Sequence, residues 1–219
     1  ITRLSTTKCS ERLKRAMALF NAGDHKGAQA VLNEEKIEAD AEINIRRCNE
    51  SKAIYEESKK ALYTNIDELK LKAKSIQSEM AEGWVQRAID VYEQAISIAR
   101  KAEGIIKKQD LAKLLYNTAT FKHENNQYHL IGTQYEEALD IVRCLADENL
   151  DAFLPKVMMI LSNLAALHKD LHKYDFAEVE YNKALNICHK LAEENPKTFL
   201  PYVALNLGNL AILHHELHK

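Results

Sequence analysis

Apolar residues near the start of the chain recur at helical intervals on either side of a glycine. The stripe before the glycine consists of Leu13, Ala16, Met17 and Phe20. Gly23 supplies a permissive backbone for a turn, and Asp24 can accept hydrogen bonds from the free N–H groups of a second helix. The pattern therefore predicts a compact helical hairpin within residues 1–33.

Residues 34–80 contain neither glycine nor proline, and their apolar residues follow a period of seven. The main stripe is Ala41, Cys48, Tyr55, Leu62, Leu69 and Ile76. A weaker stripe comprises Ile45, Ile66, Ala73 and Met80. This period is typical of one long helix, or a pair of long helices, with a coiled-coil-like seam. Packing on neighbouring helices is favoured over a dimerising coiled coil, because Lys52 and Lys59 interrupt the weaker stripe.

A pattern of small or branched, aromatic and small residues marks the helices that follow Gly83. It occurs as Ala88, Tyr92, Ala95, as Ile131, Tyr135, Ala138 and as Ala177, Tyr181, Ala184. Small residues let two helix backbones approach closely, while one aromatic ring fills the gap between turns. The spacing predicts helices that pack face to face, the first of them over residues 84–108.

The C-terminal half of the chain contains the same segment twice. Residues 155–173 read PKVMMILSNLAALHKDLHK and residues 201–219 read PYVALNLGNLAILHHELHK, with 11 of 19 positions identical. The preceding residues 126–155 and 172–201 share this 46-residue offset. A period between about 20 and 50 residues indicates an array of structural repeats.

Each repeat is predicted to contain a first and a second helix. We expect first helices over residues 110–125, 154–171 and 200–218, and second helices over residues 127–147 and 173–193. Pro155, Pro196 and Pro201 are expected at the joints between repeats, where a missing N–H does little harm.

The repeat unit resembles the tetratricopeptide repeat (TPR) in a long-period form. The matching residues are Leu161, Asn163, Leu164 and Ala165 in the first helix and Ala177, Tyr181 and Ala184 in the second. The period of 46 exceeds the family's usual value of about 34, as in repeats of the kinesin light chain type and in arrays of bacterial multidomain proteins. The resemblance implies an all-α fold, an α-α superhelix of antiparallel helix pairs, whose first helices line a concave groove for a peptide or a partner's helix.

The resemblance also divides the chain into units. It indicates complete repeats at residues 110–154 and 155–200, a degenerate repeat at 70–109, the first helix of a truncated repeat at 201–219 and a TPR-like turn within 1–33. We therefore expect the chain to be a fragment of a longer protein. At its end we expect partly uncovered side chains, because the ends of solenoids need polar caps: Leu207, Leu210, Leu213 and Leu217.

Composition and charge narrow the classes of partner. Three prolines and six glycines in 219 residues agree with an all-helical chain. The net charge of −2 and the absence of basic runs disfavour nucleic acid and anionic membranes. No apolar run is expected to reach the length of a membrane span or a secretory signal. The four cysteines, which form no CxxC pair, predict reduced, buried thiols of a cytoplasmic protein: Cys9, Cys48, Cys144 and Cys188.

Positions of the first helices that are not needed for packing would face the groove and contact a partner. With the spacing i, i+4, i+7 these are Tyr116, Thr120, His123, Ser162, Ala166, Lys169, Gly208, Ile212 and His215. Family members that clamp a terminal carboxylate carry asparagine at the position that Thr120, Ala166 and Ile212 hold here. An apolar or mixed ligand is therefore expected instead.

The sequence was also searched for metal-binding and catalytic residues, and it contains two histidine pairs but no catalytic motif. His168 and His172, like His214 and His218, stand four residues apart and could each bind one zinc or nickel ion. Structural histidines are favoured, because duplication explains the pattern and no other ligand clearly completes a set. No metal or other cofactor is expected. The chain has no glycine-rich phosphate loop, nucleophile elbow or HExxH motif, so no enzyme is predicted.

Three functions remain at this stage. The first is a non-enzymatic scaffold that binds a peptide or partner domain in the groove. The second is structural self-assembly through the long helix and the open C-terminal end. The third is a regulatory array that senses a ligand and controls a domain outside this chain. The sequence leaves the oligomeric state open.

Overall fold

The computed structural model describes residues 10–50 and 52–217, with side chains at 10–47 and 55–217. This part of the chain holds ten α-helices and no strand, and the helices pack in adjacent pairs, which confirms the predicted all-α helix-pair fold. The helices are α1 (Glu11–Asn21), α2 (His25–Val31), α3 (Glu34–Glu50), α4 (Lys52–Glu79), α5 (Trp84–Lys101), α6 (Lys108–Glu124), α7 (Ile131–Glu148), α8 (Leu150–Asp170), α9 (Tyr174–Glu194) and α10 (Pro196–Glu216). The described residues form two compact units, unit 1 up to Leu114 and unit 2 from Leu115, so that the boundary in sequence lies within α6.

Unit 1 begins with the hairpin of α1 and α2. Ser10 caps α1 by accepting a hydrogen bond from the backbone N–H of Leu13, and Asp24 caps α2 by accepting one from Gly27 at 2.8 Å. Gly23 makes the turn between them with a φ of 83°, a left-handed conformation that glycine adopts without steric cost. The side chain of Asp24 occupies the space that a Cβ at residue 27 would need. A residue with a Cβ there would displace the Asp24 side chain from the position in which it caps α2.

The segment with the period of seven folds as two antiparallel helices, α3 and α4. Lys72 forms an ion pair of 2.7 Å with Glu34, and Asn44 donates a 3.2 Å hydrogen bond to Asn65 nearer the turn. The predicted long helix is α4, whose 28 residues span about 42 Å. Most seam residues with described side chains are buried inside this unit, namely Ala41, Leu62, Ile66, Leu69, Ala73 and Ile76. Ile45 and Tyr55 are half-buried. Met80, by contrast, is exposed.

In unit 2, α8 and α10 begin four residues earlier than predicted. Asn149 caps α8 by accepting from Ala152, and Asn195 caps α10 by accepting from Thr198, both at 3.2 Å. Pro155 and Pro201 consequently lie inside the helices, so their predicted placement at joints is wrong. Each is the sixth residue of its helix, so each removes one i→i−4 hydrogen bond and places its ring against the carbonyl four residues earlier. Pro196 does occupy the first turn of α10.

Two other helix ends also differ from the prediction. Helix α5 ends at Lys101 and not near residue 108, because Gly104 turns the chain with a φ of 82°. Helix α7 starts at Ile131 and not at Gln127, because Leu130 takes a left-handed φ of 58°. The turn inside each repeat nonetheless begins in the same way. Asn126 and its equivalent His172 both have a φ of 57°.

Cys144 is exposed, which makes the expectation of buried thiols wrong at this position. It lies off the buried stripe of α7, which includes Ile131, Tyr135, Ala138 and Val142. Cys188 is buried, as predicted, and burial raises the pKa of its thiol. Cys9 and the side chain of Cys48 lie outside the described residues.

By length and composition, α8 is apolar enough to cross a membrane, so the expectation that no apolar run reaches this length is wrong. It is apolar because it packs on two sides, against α7 and α9. A Cβ placed on Gly132 of α7 would lie 4.0 Å from Cδ2 of Leu167. Ala165 belongs to a buried cluster with Ala177 and Tyr181 of α9.

Helix α10 packs on α9 and, to a smaller extent, on α8. Leu210 and Leu213 are buried in the cluster that contains Tyr181, so the expectation that they are partly uncovered is wrong. They point towards α9. Leu207 is exposed, as predicted, and Leu217 is partly buried.

Candidate functional site

The candidate site is the surface formed where the first helices of unit 2 lie side by side. Asn163 on α8 donates a 2.9 Å hydrogen bond to the hydroxyl of Tyr116 on α6. Ser162 on α8 donates one of the same length to the side chain of Asn206 on α10. These partners lie 47 and 44 residues apart, close to one repeat. The first helices therefore run parallel and nearly in register.

Most of the α6 positions predicted to contact a partner are joined to neighbouring helices. The hydroxyls of Thr120 and Tyr135 share a 3.0 Å hydrogen bond, and Asn163 reaches Thr120 at 3.4 Å. The rings of Tyr116 and Tyr135 pack with centroids 6.0 Å apart. Burial raises the pKa of Tyr135 to about 12. This polar cluster is therefore uncharged at neutral pH and stabilises the contact between repeats.

His123 and Lys169 lie at the end of the same surface and share an acidic neighbour. Nε2 of His123 is 2.8 Å from a carboxylate oxygen of Asp170, and Nζ of Lys169 is 3.5 Å from the other. The carboxylate of Asp170 offsets the mildly basic character that the sequence suggested. Direct contact of these two residues with a partner stays a prediction.

The α8 positions Ser162 and Ala166 are half-buried. The Ser162 hydroxyl also lies 3.1 Å from the backbone oxygen of Met158, so this oxygen and Asn206 compete for its single hydrogen. Ala166 packs against the cluster around Tyr181. An alanine at 166, where the preceding repeat has Thr120, removes the hydroxyl that bonds to Tyr135. The surface consequently becomes less polar from α6 to α8.

On α10 the predicted positions Gly208, Ile212 and His215 are all exposed. The sequence analysis missed two further exposed residues one turn earlier on the same faces, Met159 on α8 and Leu205 on α10. Extending the spacing of each row by three residues towards the N-terminus would have found them. We call the exposed apolar set the recognition row: Met159, Leu205, Gly208 and Ile212.

The histidines proposed as an alternative metal site bind side chains of α9 instead. Nδ1 of His168 is 2.7 Å from Glu180, and Nε2 of His214 is 2.9 Å from Glu178. Burial raises the pKa of Glu180, and the contact with His168 opposes this shift. His172 contacts Tyr174, and His218 lies outside the described residues. Across residues 10–50 and 52–217, no group of three or more His, Cys, Asp or Glu could hold a metal ion.

Unit 1 has an open cavity of about 460 Å³, most of whose lining residues are polar or charged, beside an ion network that joins α1, α3 and α4. Arg12 binds the buried carboxylate of Glu68 through Nε at 2.9 Å and also contacts Asp40 at 2.9 Å. Burial lowers the pKa of Arg12, but both carboxylates raise it by more. Since Glu68 is already satisfied by Arg12 and Ser10, the network is a structural one.

Comparison with known proteins identifies the fold but not a sequence family. No family model matches the chain, and no curated protein is significantly similar to it. Among solved structures, BtubC (BKLC) from P. vanneervenii is similar with a TM-score of 0.53 and 23% identity; the match covers 84% of this chain and 66% of that one. A Podosopora anserina protein with nearly identical TPR-like repeats of kinesin light chain type gives a TM-score of 0.51 at 15% identity, over 93% and 84% of the two chains. Its Q17M form gives 0.50 at 13% identity, over 94% of both.

These likenesses agree with the 46-residue repeat and with the helix pairs of unit 2. At such low identities they carry the fold and nothing finer. The chain is therefore, by its fold, a TPR-like repeat protein.

Proposed function

We propose that the chain is a non-enzymatic protein-interaction scaffold that binds an apolar or mixed peptide or helix along the first helices of unit 2. TPR-like repeats are a protein-interaction type of fold, which supports the general class. The exposed apolar residues of the recognition row support the choice of this surface.

The observation that carries the proposal is the recognition row. Leu205 is 55% exposed, Ile212 50% and Met159 37%, whereas the matching polar side chains of α6 and α8 are bonded to neighbouring helices. Gly208 has no atom within 4 Å of the place where a Cβ would be. A partner's apolar side chain could therefore lie against the backbone of α10 between Leu205 and Ile212. Contiguous exposed apolar residues with a polar rim are typical of protein interaction sites.

Self-assembly through the long helix has less support. The seam residues Leu62, Leu69 and Ile76 are buried within unit 1, so a second copy could not reach them while that unit is folded. Regulation of a domain outside the chain has no specific observation in its favour and stays a prediction.

Selection from a displayed library of random peptides tests the proposal. We expect enrichment of peptides with two or three spaced apolar residues. Leu205→Glu combined with Ile212→Glu should weaken the best peptide roughly 30-fold or more, the loss expected for about 2 kcal/mol at an interface hot spot. The matched control is Val179→Glu, since Val179 is similarly exposed but lies on α9. Failure to enrich any peptide, or equal binding to the double variant, would refute the recognition row.

A further inference from the structure

The open cavity of unit 1 lies along the seam between α3 and α4, and charged side chains line both of its ends. Asp40 and Arg47 line it from α3, and Lys60 and Glu68 line it from α4. From Asp40 to Arg47, α3 makes about two turns and rises about 10 Å. The cavity is therefore elongated along the two helices.

The two free cations of the cavity meet at one end. Asn44 donates a 3.2 Å hydrogen bond to Asn65 in the middle of the cavity. Because α3 and α4 are antiparallel, Arg47, one turn after Asn44, faces Lys60, which lies about one turn before Asn65. Neither cation forms an ion pair with another residue in the part of the chain that the structure describes.

The two ends of the cavity carry opposite net charges. Glu57 lines the end with the two free cations and offsets one of them, which leaves one positive charge there. At the other end Arg12 contacts both Asp40 and Glu68, which leaves one negative charge. Only Oδ2 of Asp40 contacts Arg12. Its Oδ1 has no partner among the described residues, and the side chain is 41% exposed.

The middle of the cavity offers a hydrogen-bond donor and an acceptor. Asn65 is 3% exposed, and the bond from Asn44 uses its oxygen, so no described residue accepts from its Nδ2. This nitrogen is not enclosed by protein, so it opens into the cavity that Asn65 lines. Oδ1 of Asn44 likewise has no donor among the described residues. A donor beside an acceptor suits the C=O and N–H groups of a peptide.

We propose that this cavity binds a short zwitterionic peptide, with its carboxylate between Arg47 and Lys60 and its ammonium group on Asp40. An extended tripeptide is about 10 Å long, which matches the rise of α3 between the charged ends. Its peptide groups lie beside Asn44 and Asn65, and each terminus faces the end of opposite charge. The inference concerns unit 1 and does not depend on the recognition row of unit 2.

Other small charged ligands fit the cavity less well. The charge of a phosphate dianion exceeds the net positive charge at the basic end, and the carboxylates of Asp40 and Glu68 would repel it. A free amino acid is too short to reach both ends, because a single Cα separates its ammonium group from its carboxylate. The charge and the length of the cavity therefore favour a tripeptide.

The test is isothermal titration calorimetry of the full chain with trialanine, whose termini are free. We expect saturable one-to-one binding with a Kd below about 1 mM. Trialanine amide and N-acetyl-trialanine should each bind roughly tenfold or more weakly, because each lacks one charged terminus. Absence of saturation at about 10 mM trialanine, or equal binding of the three peptides, would overturn the proposal.

Arg47→Gln tests the placement of the carboxylate. It should weaken trialanine roughly tenfold or more but change the affinity for trialanine amide, which has no carboxylate, less than about twofold. The matched control is Arg46→Gln, which removes the same charge from α3 outside the cavity and should change trialanine binding less than about twofold. Both arginines are exposed, and circular dichroism confirms that the variants fold. Equal effects of the two substitutions on trialanine would contradict the proposal.

A variant of the recognition row separates this test from that of the proposed function. Leu205→Glu combined with Ile212→Glu should leave trialanine binding unchanged, because both residues lie in unit 2. Loss of binding in this double variant would place the peptide on unit 2 and overturn the proposal. Failure of the recognition row to bind any partner would not alter trialanine binding, so the two proposals can fail separately.

Discussion

Helices α8 and α10 are nearly the same sequence in two different environments. Over residues 155–173 and 201–219 they share 11 of 19 positions, yet α8 is covered on two sides by α7 and α9, whereas α10 packs mainly on α9. Leu161 is 3% exposed and its equivalent Leu207 is 49% exposed. The comparison shows that a repeat's sequence specifies which faces are apolar, while its neighbours decide which of those faces are buried.

The largest expected difference between the two helices comes from removing this leucine. Leu161→Ala should lower the free energy of unfolding by about 2 to 5 kcal/mol, because it leaves a cavity between packed helices. Leu207→Ala should change it by no more than about 0.5 kcal/mol, because the side chain is half exposed and fills no cavity. Urea unfolding followed by circular dichroism measures both. Similar losses in the two variants would mean that Leu207 is covered as fully as Leu161.

Alkaline pH should destabilise the packing of α8 against α7 and α9. Burial raises the pKa of Tyr135 on α7 to about 12 and also raises the pKa of Tyr181 on α9. An unperturbed tyrosine has a pKa of 10.0. The folded chain therefore holds the Tyr135 proton at pH values where the unfolded chain has lost it. The stability from this group is complete below pH 10 and is lost as pH rises through 12.

For Tyr135 this loss amounts to roughly 2 to 3 kcal/mol. Tyr135→Phe should cost about 1 kcal/mol at neutral pH, through the lost hydrogen bond with Thr120, and should then lose less stability than the wild type between pH 10 and 12. Unfolding curves at several pH values give the difference. If the difference in stability between Tyr135→Phe and the wild type stayed the same from pH 10 to 12, Tyr135 would ionise as readily in the folded chain as in the unfolded chain.

The smallest expected effects have opposite signs at one repeat position. Ser162→Ala should destabilise the fold by about 1 kcal/mol, because it removes the hydrogen bond to Asn206 and leaves the side-chain oxygen of Asn206 without this donor. Gly208→Ala, at the equivalent position of α10, should stabilise by about 0.5 to 1 kcal/mol. Gly208 is helical, and a Cβ there meets no atom within 4 Å. Thermal unfolding of both variants measures whether each change in stability is a loss or a gain. Loss of stability in Gly208→Ala would indicate that another group lies close to residue 208 of α10.

The fold was predictable because its determinants are local and repeated. The pattern of Tyr135, Ala138, Tyr181 and Ala184 recurs at helical spacing, and all four residues are buried as packing residues should be. Period and spacing thus predict the helices and the faces on which they pack. Helix ends were less predictable, because capping by Asn149 and Asn195 outweighed the preference of proline for a helix boundary.

The candidate site was only partly predictable because its contacts join residues a full repeat apart. Helical spacing identified the row that contains Tyr116, Ser162 and Gly208. It could not show that Asn163 bonds to Tyr116 while Gly208 has open space around it. Those outcomes depend on which side chains face each other across neighbouring helices. Spacing within one helix carries no information about that.

Hydroxyl-radical footprinting of the unaltered chain, read by mass spectrometry, tests the central difference most directly. Oxidation depends on solvent access, so Leu207 on α10 should be modified several times faster than Leu161 on α8, its equivalent in the preceding repeat. Equal protection of the two leucines would contradict the account, because it would show that the apolar face of α10 is as fully covered as that of α8.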